Sequence, residues 1–305
     1  MSAIKSEYTY WQDAGRSEKI TKLLDIGLLA DCKFVVGPED ATAETIIGHK
    51  VMFILESPVL ERMLTGNFVE AEKDKEIRIT DVDPNDFKNF RYLVYNNDSS
   101  NLSKFTFEEI MNLYRVSDKY MSLSICQKCI NFLKSSLKGL PLDRLITLFD
   151  FACGLEDKHL QAAIEMCISN CREVLMGDKL NELSSKVFYD YVLFVSKLPT
   201  PPKPIIIFNA IDSYFKHNRL MGKYENETNM DKNADLKDKN DVDNIHSFKR
   251  MLLNLVKFDA MLPEEFISGT EQSDLLEAQI KFDILSSLCT QDVEEPQDMP
   301  LNYGF

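Results

Sequence analysis

Seven cysteines and four histidines are the residues of this chain best suited to hold a metal or act as nucleophiles. Cys126-Gln127-Lys128-Cys129 has the spacing of one half of a tetrahedral zinc site, but no second pair of that kind follows. Cys167 and Cys171 lie one helical turn apart, and His49, His159, His217 and His246 are scattered, with none at metal spacing from a cysteine. Four ligands therefore do not converge, and neither a metal site nor a cofactor is expected. A cysteine nucleophile would need a positioned base. No G-x-S-x-G, phosphate-binding loop or G-x-G-x-x-G suggests another reaction, so no catalytic residue is expected and the chain reads as a non-enzyme. Of Cys32, Cys126, Cys129, Cys153, Cys167, Cys171 and Cys289, most fall inside apolar helical patterns, the pattern of reduced, buried thiols.

The elements that carry these residues belong to a globular chain. It has 305 residues, 44% of them apolar and 28% charged, which rules out disorder of the whole. Its 35 basic against 49 acidic residues leave a formal charge of -14, the wrong sign for a surface that must release counterions from nucleic acid. No apolar run approaches the roughly 18 residues needed to span a bilayer, and the first residues lack a signal-peptide core. A cytoplasmic protein with no membrane and no nucleic-acid partner is expected. The sequons at Asn97, Asn101 and Asn226 then carry no glycan.

Asp31 to Val36 is a short β-branched run closed by Gly37-Pro38, and Thr45-Ile46-Ile47 reads as its hairpin partner. His49 to Leu55 is helical in pattern, Ser57-Pro58 opens a second helix that ends near Gly66, and Glu76 to Thr80 alternates like a half-buried strand. Asp83-Pro84 repeats the cap-plus-proline start, and Thr106-Phe107-Glu108-Glu109 is a capping box. Everything downstream is helical in pattern, with breaks at Gly139-Pro141, Gly154, Gly177 and Pro201-Pro202-Pro204. Residues 223–244 hold few apolar side chains and read as a flexible insertion.

In order, Leu28-Leu29-Ala30-Asp31-Cys32-Lys33-Phe34-Val35-Val36-Gly37, Gly48-His49-Lys50-Val51-Met52, Glu56-Ser57-Pro58-Val59-Leu60, Asp81-Val82-Asp83-Pro84 and Ser117-Asp118-Lys119-Tyr120 resemble the landmarks of a BTB/POZ domain. From Pro141 onward the helices resemble a BACK domain, with Tyr214 where that domain usually has tryptophan. Val36 to Thr42 and Val256 to Phe266 resemble the subgroup that also carries a C-terminal PHR β-sandwich, which is not expected in a chain that stops at Phe305. The resemblance implies an α+β fold: an N-terminal segment (1–21), a BTB/POZ domain with a small mixed sheet capped by helices (22–138), an all-α BACK domain of stacked helical hairpins (139–290) containing the insertion, and an acidic tail (291–305).

It further implies a homodimer that grips cullin-3 and joins it to a protein substrate, as the adaptor of a RING ubiquitin ligase. Phe68 and Glu70, after the helix that begins at Pro58, fit the family's hydrophobic-x-Glu cullin motif. Phe68 would be the anchor, and Tyr120 would lie on the same surface. Dimer contact would come from the apolar strip of Ile20, Leu23, Leu24, Ile26, Leu28 and Leu29, with Asp31 and His49-Lys50 fixing strand and helix ends at that interface or in the core. The alternative is a dimerising scaffold, or a truncated competitor, that works without a ligase.

Overall fold

The computed structural model describes residues 15–38, 42–65, 76–96, 98–171, 173–220, 236–270 and 272–291, apart from the side chains of residues 17, 236–243 and 291. The chain divides into two compact units, Met1–Leu137 and Lys138–Phe305. In the first, strand β1 (Cys32–Val36) alternates: Cys32, Phe34 and Val36 point into the core, while Lys33 is exposed. It pairs antiparallel with β2 (Glu44–Gly48), Phe34 opposite Ile46, and parallel with β3 (Ile77–Ile79), Phe34 opposite Ile77. The order β2-β1-β3 places β1 in the centre of a three-stranded mixed sheet. With helices following the strands, the fold class is α+β, as expected.

Helix α1 (Arg16–Ile26) precedes the sheet, and α2 (Lys50–Glu56) and α3 (Pro58–Thr65) follow β2. Ser57 separates α2 from α3 and accepts the Leu60 N–H at the start of α3, the hydroxyl cap that Ser57-Pro58 predicts. Helices α4 (Pro84–Tyr95), α5 (Phe107–Lys119) and α6 (Leu123–Ser135) complete the unit. Asp83 caps α4 through the Asn85 N–H at 2.8 Å, and both bonds of the Thr106–Glu109 capping box form at α5. Phe34 is the hub of the core, with ring centres 4.8 Å from Phe53 and 5.1 Å from Phe87. Phe87 packs in turn against Phe90 at 5.9 Å. All four rings are fully buried, and each such side chain contributes about 1.5–3 kcal/mol through removal from water.

The second unit is helical among its described residues: α7 (Leu142–Leu155), α8 (Lys158–Ile168), α9 (Ser185–Ser196), α10 (Pro204–His217), α11 (Leu236–Leu253), the single turn α12 (Pro263–Glu265) and α13 (Ala278–Gln291). Helix α7 turns into α8 through Glu156 in the left-handed region, and Asp157 accepts the first N–H groups of α8. Tyr214 stacks on Phe188 with ring centres 3.8 Å apart and donates its hydroxyl to the Leu183 carbonyl at 2.9 Å. Helix α11 begins at Leu236, inside the stretch read as a flexible insertion. Helical backbone needs no buried face to begin there, because the amphipathic part from Ile245 onward supplies the packing and the earlier residues extend it. The rest of that insertion and the acidic tail from 292 lie outside the described residues.

Candidate protein-interaction surface

The junction of α1, β2 and α2 is built around His49. Its Nε2 lies 2.7 Å from the Leu28 carbonyl, which can only accept, so in the neutral ring Nε2 carries the proton and Nδ1 accepts. The Tyr95 hydroxyl supplies the proton to Nδ1 at 2.7 Å and receives the His49 main-chain N–H at 2.8 Å. Burial pushes the Tyr95 hydroxyl up to about 12, so it stays a donor at neutral pH. One residue on, the Asp31 carboxylate accepts the Lys50 N–H at 2.7 Å and so caps the start of α2 from the foot of β1. This is the end-fixing role expected of Asp31 and His49-Lys50.

This junction brings an apolar face to the surface. Gly27 takes a left-handed φ of 62° and lies so close to the Ile47 side chain that a Cβ would collide with it. Leu29 adopts φ 63° without a glycine's freedom and is 80% exposed. Val51 and Leu55, one helical turn apart on α2, are exposed with it, as are Ile26 and Ile47. Ile20, Leu23, Leu24 and Leu28 are half-buried, and Asp31 is exposed. The most exposed apolar residues of this face are therefore Leu29 and Leu55, and neither Val51 nor Leu55 is among the residues that sequence reasoning selects. Their i, i+4 spacing on a short helix is the signal that could have found them.

A second apolar point lies where α5 ends. The Ser122 N–H bonds to the Ser117 carbonyl at 2.7 Å and the Met121 N–H to the Asp118 carbonyl at 2.9 Å, the paired bonds of a Schellman cap with Met121 in the position that glycine usually takes. Met121 has φ 55°. This left-handed backbone turns the Met121 side chain outward beside the exposed Leu123. Two side-chain bonds hold the cap to the α2–α3 junction: Ser57 Oγ donates to the Tyr120 carbonyl, and Ser122 Oγ donates to Glu56 Oε1 at 2.6 Å.

Tyr120 itself corrects the expectation. It is only 2% exposed, with its ring 5.7 Å from Phe90 and 6.0 Å from Phe87, so it is a core residue rather than a surface contact. An amphipathic ring next to a helix end buries its apolar area wherever a pocket is within reach, and here the aromatic core provides one. Its hydroxyl has no hydrogen-bond partner among the described residues, and burial raises its pKa. Phe68 and Glu70 lie outside the described residues.

The cysteines of the C-x-x-C pair are buried on α6, and burial pushes both thiols up to about 12, away from the thiolate form that a metal requires. Among the described residues no group of three or more His, Cys, Asp or Glu side chains could hold a metal ion, and no helix is long and apolar enough to cross a membrane.

Residues 20–137 match the family model described as BTB/POZ domain. The chain is also similar to proteins named BTB/POZ domain-containing protein 6: 27% identical over 253 residues to that of Homo sapiens, covering 82% of this chain and 41% of the relative. For Xenopus tropicalis the identity is 26% over 258 residues, covering 82% and 42%, and for Mus musculus it is 25% over 252 residues, covering 82% and 41%. The chain thus spans about two fifths of the length of these relatives. With a β2-β1-β3 sheet, capped helices and an exposed apolar face all inside the matched segment, residues 20–137 of this chain are a BTB/POZ domain, a protein-interaction scaffold.

Proposed function

We propose that the chain is a homodimeric, cytoplasmic adaptor that joins cullin-3 to a protein substrate for ubiquitination and performs no chemistry of its own. The observation that carries this reading is the exposed apolar face of Ile26, Leu29, Ile47, Val51 and Leu55 on the BTB/POZ domain. Such a face is costly in water and is stabilised by a second copy. Two left-handed non-glycine residues, Leu29 and Met121, hold apolar side chains outward at a backbone cost of about 1–3 kcal/mol each, a pattern more typical of partner sites than of idle surface. Phe68 anchors cullin-3 and Glu70 accompanies it, with Met121 and Leu123 extending the contact. The helical unit from Lys138 serves as a BACK domain that positions the substrate.

A second reading, a dimerising scaffold without a ligase, is favoured by the burial of Tyr120, which removes one of the side chains that the family resemblance places against cullin. Calorimetry with the N-terminal domain of cullin-3, run on the wild type and on Phe68→Ala, separates the two. Submicromolar binding that weakens roughly tenfold in the variant, about 1.4 kcal/mol, supports the adaptor. A folded dimer that binds no cullin-3 leaves the scaffold.

A further inference from the structure

The connection between α9 and α10 reads Lys197-Leu198-Pro199-Thr200-Pro201-Pro202-Lys203-Pro204. Every residue from Leu198 to Lys203 is a proline or stands directly before one. Proline fixes φ near -65°, and the residue ahead of a proline is driven out of the helical region into extended or polyproline backbone. Lys203 shows this, with φ -56° and ψ 144°. The segment is therefore held open by its own covalent structure. Pro199, Thr200, Pro201 and Lys203 are exposed, and the Thr200 hydroxyl makes no hydrogen bond among the described residues.

We propose that Thr200 is a phosphorylation site for a proline-directed serine/threonine kinase. Three features on one short segment point there. The acceptor hydroxyl is exposed. Pro201 follows it directly, presenting no main-chain N–H and a fixed φ, which suits only kinases whose substrate groove asks for no donor at that position. Lys203, three residues on, supplies a cation for an acidic subsite of such a kinase. Its side chain is 67% exposed and engages Glu265 at 2.7 Å, a surface ion pair that a kinase can displace at little cost. In the reaction the γ-phosphoryl group of ATP passes to Thr200 Oγ1. The bond from the γ-phosphorus to the bridging oxygen breaks, ADP leaves, and the hydroxyl proton goes to the kinase's base.

The surroundings tolerate the product. The phosphate adds close to two negative charges between Lys197 and Lys203, just ahead of α10. That helix has no acidic residue in its first turn and no side-chain cap, so a nearby anion is favourable to it rather than disruptive. It also competes with Glu265 for Lys203, loosening the link between this connection and α12. Phosphorylation would change the charge of this part of the helical unit while leaving its core in place.

The test uses the full chain with a cyclin-dependent-type kinase and ATP, counting phosphoryl groups by intact mass and placing them by fragmentation. The expected result is one phosphoryl group on Thr200, absent in Thr200→Ala, with the rate at Thr200 lowered roughly tenfold or more in Lys203→Ala. A synthetic peptide of residues 194–209 serves as the control for intrinsic acceptance. Modification of the peptide but not of the folded chain overturns the proposal, because the fold would then hide the site. Modification of the chain only after heat unfolding overturns it in the same way, and an undiminished rate in Lys203→Ala removes the recognition argument. Thr200 and Lys203 are both exposed, so circular dichroism of the two variants is expected to match the wild type.

Discussion

The Tyr95 hydroxyl is held between two nitrogens of His49, receiving its main-chain N–H at 2.8 Å and giving a proton to Nδ1 at 2.7 Å. Through Nε2 the same imidazole reaches the Leu28 carbonyl, so one phenol ties the end of α4 to the residues that follow α1. Tyr95→Phe keeps the packing against Phe53 and leaves two half-buried groups of His49 without the phenol as partner. The expected loss is about 1–3 kcal/mol in urea unfolding, with little change in the denaturant slope. A loss under about 0.5 kcal/mol would mean that water replaces the phenol and that the junction is looser than described.

Burial raises the Cys32, Cys126 and Cys129 thiols from 9.0 to about 12 and Tyr95 from 10.0 to about 12. The unfolded chain releases these protons at lower pH than the folded one does. Stability from them is therefore complete below about pH 9 and declines as pH rises toward about 12. Urea midpoints taken between about pH 9 and about pH 11 should fall steadily, and Cys129→Ala should flatten the slope. A midpoint constant across that window would contradict the burial of these groups.

Met121 occupies the left-handed position of a helix cap at φ 55°. Met121→Gly relieves the backbone and is expected to raise stability by about 1 kcal/mol. If the thioether is part of the partner surface, the same variant binds cullin-3 more weakly. Greater stability with unchanged affinity would make Met121 a cap residue and nothing more.

Val51 and Leu55 are exposed one turn apart on α2. A carboxylate in their place costs an isolated domain little but would be buried in a dimer. Val51→Asp is expected to halve the mass seen by light scattering while circular dichroism stays unchanged. A dimer that survives both Val51→Asp and Leu55→Asp would place its interface elsewhere.

Local chemistry was the most legible part of the fold. The Asp83 cap, the Thr106–Glu109 box and the alternation from Glu76 to Thr80 each depend on residues a few positions apart, and each forms as read. The hairpin of β1 and β2 was legible for the same reason, whereas nothing near Ile77 in the sequence shows that it pairs parallel to Phe34. The side-chain environment of Tyr120 is set by Phe87 and Phe90, some thirty positions away, so its burial could not be read from the order of landmarks. The Leu29–Val51–Leu55 face was half legible: α1 announced its apolar strip, but exposure is decided by what α4 and β2 cover. The start of α11 at Leu236 was missed because composition argues about burial, while helix extension needs only backbone bonds.

The central place of β1 has a consequence for how the chain is born. β1 and β2 can pair as soon as residue 48 is free, but the other edge of β1 has to wait for Ile77–Ile79. At roughly 5–20 residues per second, the ribosome needs a further interval of about 2–6 s before that partner exists. During this time the nascent hairpin carries Phe34 and an open backbone edge with no cover. A chaperone, or a neighbouring nascent chain on the same message, would meet it in that state.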